Sequence, residues 1–240
     1  MIFLVQAKGD EVILSKPVDY RHEWKHEINL SDLIAIRQRL RAVAKPDPHA
    51  VDGRYLIRSL YFDDLADTAL REKLDGITRR EKFRIRYYNG DTSLIHLEKK
   101  SKWNGLGVKD MEVLTQTEAQ AIVDGNLNWM PGSDLPLVQE LYSKMKSKGL
   151  RPKIIVDYTR EPFVFAPGNV RVTLDYNIRT GLGCTDFLNI DCVTIPAGDA
   201  PIILEVKWDG FLPDIIRDAV QLGSRRAAAF SKYAACRVYG

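Results

Sequence analysis

The chain has 240 residues, of which 45% are hydrophobic and 28% are charged, a composition typical of a globular protein with a substantial core. This composition excludes the disordered and fibrous classes. The formal net charge of +3 is too small to require a nucleic-acid partner, so any anion-binding site must depend on local clustering of charge.

The cysteines and the hydropathy pattern indicate the compartment. Cys184, Cys192 and Cys236 are odd in number and lack the spacing of metal ligands, which favours reduced thiols in the cytoplasm over a disulfide framework. No apolar run approaches the ~20 residues of a membrane helix, so we expect a protein without a membrane segment of its own. Such a protein can still work beside a separately encoded membrane partner.

The first elements alternate polar and apolar residues. Residues 1–19 are interpreted as an N-terminal arm of unknown role, and residues 20–240 as a single domain. From residue 21 the alternation predicts a strand with Arg21, Glu23 and Lys25 on one face. A helix capped at residues 31–32 and ended by two prolines should follow. Residues 55–62 then predict a core strand, and residues 66–74 a short helix.

The stretch from residue 80 to residue 89 carries the clearest charged row. It predicts a strand with three cations on one face and three apolar residues on the other. The cations are Lys82, Arg84 and Arg86, and the apolar residues are Phe83, Ile85 and Tyr87. Asn89-Gly90-Asp91 is a strong hairpin signal, so residues 94–100 should pair with this strand.

The partner strand continues the pattern of charged rows. It places His96, Glu98 and Lys100 on one face, and a turn at two glycines leads to a further strand with Lys109. Thr115 and Glu118 have the spacing of a capping box, which predicts the start of a helix. A second helix is predicted over residues 135–145.

The second half of the chain supplies three more strands with a period of two, over residues 153–165, 169–176 and 202–208. Their charged or polar rows include Tyr158, Arg160, Arg171, Asp175, Glu205 and Lys207. From Leu212 to Tyr233 the chain is predicted to form a helical tail. Every charged row lies on a predicted strand.

Two structures explain these rows. A solvated outer face accounts for each row separately, because Lys and Arg are mostly exposed. A closed antiparallel β-barrel of about eight strands, with helices packed outside and a C-terminal helix, accounts for all of them together. This α+β tunnel would turn the charges inward, which requires counter-charges and a polyanionic ligand. We therefore predict the tunnel.

The chemistry of such a tunnel suits phosphate. Arg and Lys bind phosphate oxygens, and carboxylates among them can hold hard divalent metals that bridge to phosphates. The sequence contains no Walker A motif, no glycine-rich phosphate loop, no HExxH and no GxSxG. Phosphate recognition would therefore depend on rows of side chains.

A set of motifs in a defined order carries a family resemblance. The motifs are Glu23-Trp24-Lys25, Arg58 to Asp64, Lys82 to Tyr88, Leu97 to Lys100, Tyr158-Thr159-Arg160, Arg171 to Asp175, Leu204 to Lys207 and Phe230 to Tyr233. With these motifs the chain resembles the VTC domain, the polyphosphate polymerase module of the CYTH-like triphosphate tunnel metalloenzyme superfamily.

The resemblance implies a function and a site. It implies transfer of the γ-phosphoryl group of ATP to orthophosphate or polyphosphate with release of ADP, aided by Mn²⁺ or Mg²⁺. The implied catalytic cations are Lys25, Arg84, Arg86, Lys100, Arg160, Arg171 and Lys232. The implied substrate-binding residues are Lys109, Tyr158, Lys207 and Ser231. Glu205 is the implied metal ligand, with Glu98 and Glu23 as further candidates.

Two alternatives remain open at this point. An inorganic triphosphatase of the same superfamily would share the tunnel. Such enzymes resemble one another in a metal-binding Glu at the first position of the opening strand. This chain has Arg21 at that position, which disfavours hydrolysis. A non-catalytic sensor of polyphosphate or nucleotide would bind the anion without turnover. For Glu205, the structural alternative is an ion pair with a tunnel cation such as Lys207.

Overall fold

The computed structural model describes residues 21–103, 106–223, 227 and 229–238. The arm predicted at residues 1–19 lies outside these residues. Ten strands are described: β1 (His22–Ile28), β2 (Lys45–Pro46), β3 (Tyr55–Asp63), β4 (Arg79–Tyr88), β5 (Asp91–Trp103), β6 (Leu106–Leu114), β7 (Arg151–Phe165), β8 (Val170–Thr180), β9 (Ile195–Pro196) and β10 (Ile202–Trp208). Six α-helices are described: α1 (Leu30–Val43), α2 (Thr68–Leu74), α3 (Gln116–Val123), α4 (Pro136–Lys148), α5 (Asp214–Ala219) and α6 (Lys232–Arg237).

The strands form one antiparallel sheet that curls into a half-barrel. Its order is β1-β10-β8-β7-β3-β4-β5-β6, with short β2 paired to β7 and β9 to β8. In the described residues no ladder joins the edge strands β1 and β6, so the prediction of a closed barrel was wrong. The predicted α+β class is confirmed. Both edges carry inward lysines, Lys25 on β1 and Lys109 on β6, and charged edge residues oppose further strand pairing.

The convex face of the sheet carries two of the three hydrophobic clusters, and the third lies on the concave face, where Ile154, Val156 and Tyr158 pack with Tyr233 of α6. On the convex face, Phe83, Ile85 and Leu97 are buried against apolar residues of α3 and α4. Farther along the sheet, apolar residues of α1 and α5 cover β8 and β10. The predicted orientation of Phe83 and Ile85, outward beneath helices, is therefore confirmed, and the charged row of β4 occupies the concave face.

Helix starts follow side-chain capping. Thr115 and Glu118 form the predicted capping box at α3. At α1 the cap is Asn29, whose side chain accepts from the amide of Asp32, so the helix begins earlier than predicted. The prediction placed the cap at Ser31-Asp32, but Asp32 has the N3 position of the box.

The C-terminal tail differs from the single helical tail that was predicted. Its described residues form two short helices, because α5 ends at Ala219 and the hydroxyl of Ser231 caps a new helix by accepting from the amide of Ala234. Tyr233 of α6 stacks on Tyr61 of β3 with ring centroids 5.1 Å apart. Its hydroxyl donates to Asp63 at 2.6 Å, so α6 is held against the sheet.

None of the helices in the described part of the chain is long and apolar enough to cross a membrane.

The division between faces predicts a contrast within one strand. Leu97 of β5 is fully buried, whereas Leu94 of the same strand is 46% exposed. Leu97→Ala should lower the free energy of unfolding by about 2–5 kcal/mol, because it leaves a cavity in the core. Leu94→Ala should lower it by less than about 1 kcal/mol. Urea unfolding measures both, and equal losses would contradict the assignment of faces.

Candidate functional site

The charged rows of seven strands share the concave face. Ion pairs connect β1 to β10, β4 to β5, β5 to β6 and β7 to β8 across this face. One further cation comes from α6, since Lys232 reaches Asp175 of β8. The structure therefore brings together side chains that lie far apart in the sequence.

Glu98 of β5 is the centre of the first cluster. One of its oxygens lies 2.5 Å from Arg84 of β4, and the other lies 2.7 Å from Lys109 of β6 and 3.8 Å from Arg86. Burial alone would raise the pKa of Glu98, but the three cations lower it well below its usual range. Glu98 is therefore ionised and holds Arg84, Arg86 and Lys109 in place. Arginine and lysine are the side chains that commonly bind phosphate.

Tyrosine hydroxyls align the two arginines of the β4 row. Arg84 donates to the hydroxyl of Tyr61 at 2.8 Å, and Arg86 donates to that of Tyr158 at 3.1 Å and to Ser59 at 3.3 Å. Burial would raise the pKa of Tyr61, yet the charges of Arg84 and Arg86 lower it. Tyr158 thus lies beside the arginines of the β4 row, and its implied contact with phosphate stays a prediction.

Asp175 of β8 organises the second cluster. Arg160 of β7 binds it through two hydrogen bonds of 2.7 Å, and Lys232 of α6 lies 2.5 Å away. Asp175 has no exposed surface. Burial opposes its ionisation, but Arg160 and Lys232 lower its pKa to about 2. Lys232 also lies 4.6 Å from the ring centroid of Tyr158.

The third cluster joins the edge strand β1 to its neighbour β10. Lys25 lies 2.8 Å from Glu23 and 3.0 Å from Glu205, and Lys207 lies 2.5 Å from Glu205. Burial would raise the pKa of Glu205, but Lys207, Lys25 and Arg160 lower it well below its usual value. The ion pair between Glu205 and Lys207, the structural alternative from the sequence, is present.

The three carboxylates predicted as metal ligands do not form one cluster. Glu205 and Glu23 share Lys25, whereas Glu98 belongs to the cluster of Arg84 and Arg86. In the described ranges no group of three acidic, His or Cys side chains could hold a metal by itself. Because Mg²⁺ is commonly held by one or two carboxylates together with substrate phosphates, Glu205 and Glu23, which share Lys25, fit such an ion as a pair.

Two predicted residues have peripheral positions. Arg171, at the start of β8, pairs with Asp47 at 3.0 Å and lies at one end of the concave face. Ser231 uses its hydroxyl to cap α6, so its side chain has a structural partner.

Sequence reasoning left Lys82, Tyr61 and Asp175 out of the site. Lys82 lies in the same row as Arg84, with its ammonium 5.6 Å from the ring centroid of Tyr61. The strand alternation that found Arg84 and Arg86 contained the signal for Lys82, and the row with Arg171 contained Asp175. Tyr61 had no such signal, since it lies in a strand rich in aromatic and apolar residues.

A comparison with protein families identifies the chain's relatives. The model of the VTC domain matches residues 20–239, which is nearly the whole chain. No curated protein sequence matches the chain significantly.

Distant solved structures were also found. A candidate adenylate cyclase from Bacillus halodurans has a TM-score of 0.49 and 12% identity, covering 79% of this chain and 80% of that one. The PH1012 protein from Pyrococcus horikoshii has a TM-score of 0.46 and 14% identity, covering 88% and 96%. The PH1819 protein from the same organism has a TM-score of 0.41 and 16% identity, covering 84% of each chain.

The second cluster predicts a pH-dependent contribution to stability. A carboxyl whose folded pKa is about 2 stabilises the fold above its unfolded pKa of about 3.9. That contribution, about 2–3 kcal/mol, is lost as the pH falls from about 4 to about 2. Asp175→Asn should lack this dependence and should cost about 3–5 kcal/mol near neutral pH, because Arg160 and Lys232 keep buried charges.

Urea unfolding as a function of pH measures both effects. Asp214→Asn is the matched control, since this carboxylate is 77% exposed and pairs with Arg217 within α5. A neutral-pH stability of Asp175→Asn equal to that of the control would refute the role of Asp175.

Proposed function

Because the chain belongs to the VTC domain family, we propose that it is an ATP-dependent polyphosphate polymerase that works on the concave face of the half-barrel. The substrates would be ATP and inorganic phosphate or polyphosphate, and the products ADP and a chain longer by one phosphate. The observation that carries the proposal is the convergence of cations from several strands and α6 onto one face, around shared carboxylates.

The proposed reaction needs positioning and charge neutralisation more than a protein nucleophile. A terminal oxygen of the acceptor phosphate attacks the γ-phosphorus of ATP, the bond from that phosphorus to the β–γ bridging oxygen breaks, and ADP leaves with the electron pair. Arg84 and Arg86 would bind the transferred phosphoryl group, since guanidinium groups suit phosphate oxygens. Their tyrosine and carboxylate partners hold them in position before substrate binds.

Arg160 and Lys232 would support a neighbouring phosphate. Both are anchored on buried Asp175, and Lys232 arrives from α6, so this helix adds a cation to a site built mainly by strands. The hydroxyl of Tyr158, between Arg86 and Lys232, would contact phosphate oxygens in the same region.

A divalent ion, Mn²⁺ or Mg²⁺, would be held by Glu205 and Glu23 with phosphate oxygens as its remaining ligands. When bound, it would neutralise charge on the phosphates. Lys25 and Lys207, which pair with these carboxylates, would contact phosphate oxygens beside them.

Arg21, directly before β1, favours a polymerase over a triphosphatase. Arg21 replaces one acidic position of the triphosphatase pattern, and in the structure it pairs with Asp209 at 2.8 Å, away from the three clusters. β1 thus supplies Glu23 to the third cluster, and the position of Arg21 supplies no second carboxylate.

Product analysis tests the proposal. Purified protein incubated with ATP and Mn²⁺ should release ADP and form a polyphosphate ladder on a denaturing gel. Orthophosphate release from tripolyphosphate without polymer would identify a triphosphatase instead. Binding of these anions without turnover would identify a sensor.

A substitution of Arg84 tests its assigned role. Arg84→Gln should lower the polymerisation rate by about 100-fold or more, because it removes a donor to the reacting phosphoryl group. The fold should be retained, since Glu98 keeps Arg86 and Lys109 as partners. Arg41→Gln, on the exposed side of α1, is the matched control and should keep the full rate. An active Arg84→Gln protein would contradict the assignment.

Replacing Glu205 tests the metal. Glu205→Gln should raise the Mn²⁺ concentration needed for half-maximal rate, while binding of tripolyphosphate without metal is retained. Titration of the rate with Mn²⁺ and calorimetry without metal measure the two effects. An unchanged Mn²⁺ requirement would exclude Glu205 as a ligand.

A further inference from the structure

Two of the three cysteines lie in contact with each other on the convex side of the sheet. The Sγ atoms of Cys184 and Cys192 are 2.9 Å apart, in the connection between β8 and β9. Both thiols are half-buried, whereas Cys236 of α6 is fully buried. The sulfur atoms of a disulfide lie about 2.05 Å apart, so a bond between Cys184 and Cys192 needs a movement of only about 1 Å.

Two tight turns bring these thiols together. The first turn runs from Gly181 to Cys184, whose amide donates to the carbonyl of Gly181 at 2.9 Å. Leu182, inside this turn, has a positive φ, which is uncommon for a residue other than glycine. The second turn runs from Asn189 to Cys192, whose amide donates to the carbonyl of Asn189 at 3.1 Å. The backbone of the connection thus holds the two cysteines face to face.

The loop between the two cysteines is attached to the core. Phe187, inside the loop, is fully buried, and its ring centroid lies 4.9 Å from that of Tyr87. The hydroxyl of Tyr87 donates to the carbonyl of Phe187 at 3.2 Å. Because these contacts hold the loop on the sheet, the two thiols have defined positions in the reduced protein.

Arg58 of β3 also depends on this loop. It donates to the carbonyl of Asn189 at 2.5 Å and to that of Cys192 at 3.4 Å. It also forms two hydrogen bonds of 2.9 Å with Asp157 of β7. Arg58 is buried, so departure of the loop would remove two acceptors from a buried cation.

The ion pair beneath the loop lies directly behind the candidate site. Arg58 and Asp157 are followed in the chain by Ser59 and Tyr158, which accept hydrogen bonds from Arg86 on the concave face. Successive side chains of a strand point to opposite faces, so the same two strands carry the ion pair and the partners of Arg86. Fixing the loop therefore supports the strands that position Arg86.

We propose that Cys184 and Cys192 are a redox-modification site, at which a low-molecular-weight disulfide such as oxidised glutathione converts the two thiols into a reversible disulfide. This bond would fix the loop against Arg58. In reducing compartments such disulfides are usually transient and sense the redox state. The inference does not depend on the proposed reaction, because the two thiols lie outside the three charged clusters.

The exchange balances with this oxidant. The thiolate of Cys184 attacks one sulfur of glutathione disulfide, breaks its S–S bond and releases one glutathione thiolate. Cys192 then loses its proton to solvent, and its thiolate attacks the Sγ of Cys184 and releases the second glutathione thiolate. Two protein thiols are oxidised, and one glutathione disulfide is reduced. Burial, and then the hydrogen bond with Cys184, raise the pKa of Cys192, so Cys192 keeps its proton during the first step.

Peptide mapping tests the bond. The full chain would be equilibrated in glutathione buffers of increasing oxidised fraction, alkylated in denaturant and digested with trypsin. No Lys or Arg lies between Arg179 and Lys207, so both cysteines of the pair fall in one peptide and Cys236 in another. Oxidation should give the first peptide unalkylated and with two hydrogen atoms fewer, while Cys236 is alkylated. Glutathione adducts without this bridge, or a bridge between two chains, would overturn the proposal.

Thermal unfolding measures the effect on the loop. The disulfide should raise the melting temperature of the oxidised wild type by roughly 5–10 °C over the reduced protein. Cys192→Ser and Cys184→Ser should each melt equally in oxidising and reducing buffers. Cys236→Ser, the control outside the pair, should keep the full difference. Equal melting temperatures of oxidised and reduced wild type, or a difference that both variants of the pair retain, would overturn the proposal.

Discussion

The sharing of a few buried carboxylates among many cations is the constraint on which the rest of the structure depends. Glu98, Asp175 and Glu205 each contact at least two cations, so every one of them is ionised despite its burial. Unpaired charges are costly inside a protein, and these carboxylates keep most of the concave face compatible with folding. They do so without cancelling its positive charge, which leaves a face suited to anions.

The hydrophobic core makes this face possible. Ile85 and Leu97 alternate with Arg84 and Glu98 on the same two strands, so each strand contributes to the core and to the site at once. A register slip of one residue would exchange the two faces, which ties the position of the cations to the packing of α3 and α4. Tyr233 similarly connects α6 to Tyr61 and Asp63, and thereby holds Lys232 over Asp175.

Much of the fold and of the site could be predicted, because both depend on local periodicity. The period of two identified the strands and assigned Arg84, Arg86 and Arg160 to the same face, and capping chemistry located α3. Closure of the sheet could not be predicted, since it depends on whether the edges β1 and β6 meet, which neither edge strand encodes alone. The C-terminal tail was predicted as continuous because helical spacing did not reveal the new cap at Ser231.

The sequence by itself determined which side chains share a face, because alternation along a strand follows from backbone geometry. It also carried the ordered motifs of the VTC domain, since these are runs of neighbouring residues. Only the tertiary structure decided which carboxylate serves which cation. It paired Asp175 with both Arg160 and Lys232, and it separated Glu98 from Glu205. These outcomes depend on distances between strands and helices that are remote in the chain, and electrostatic energy depends on those distances.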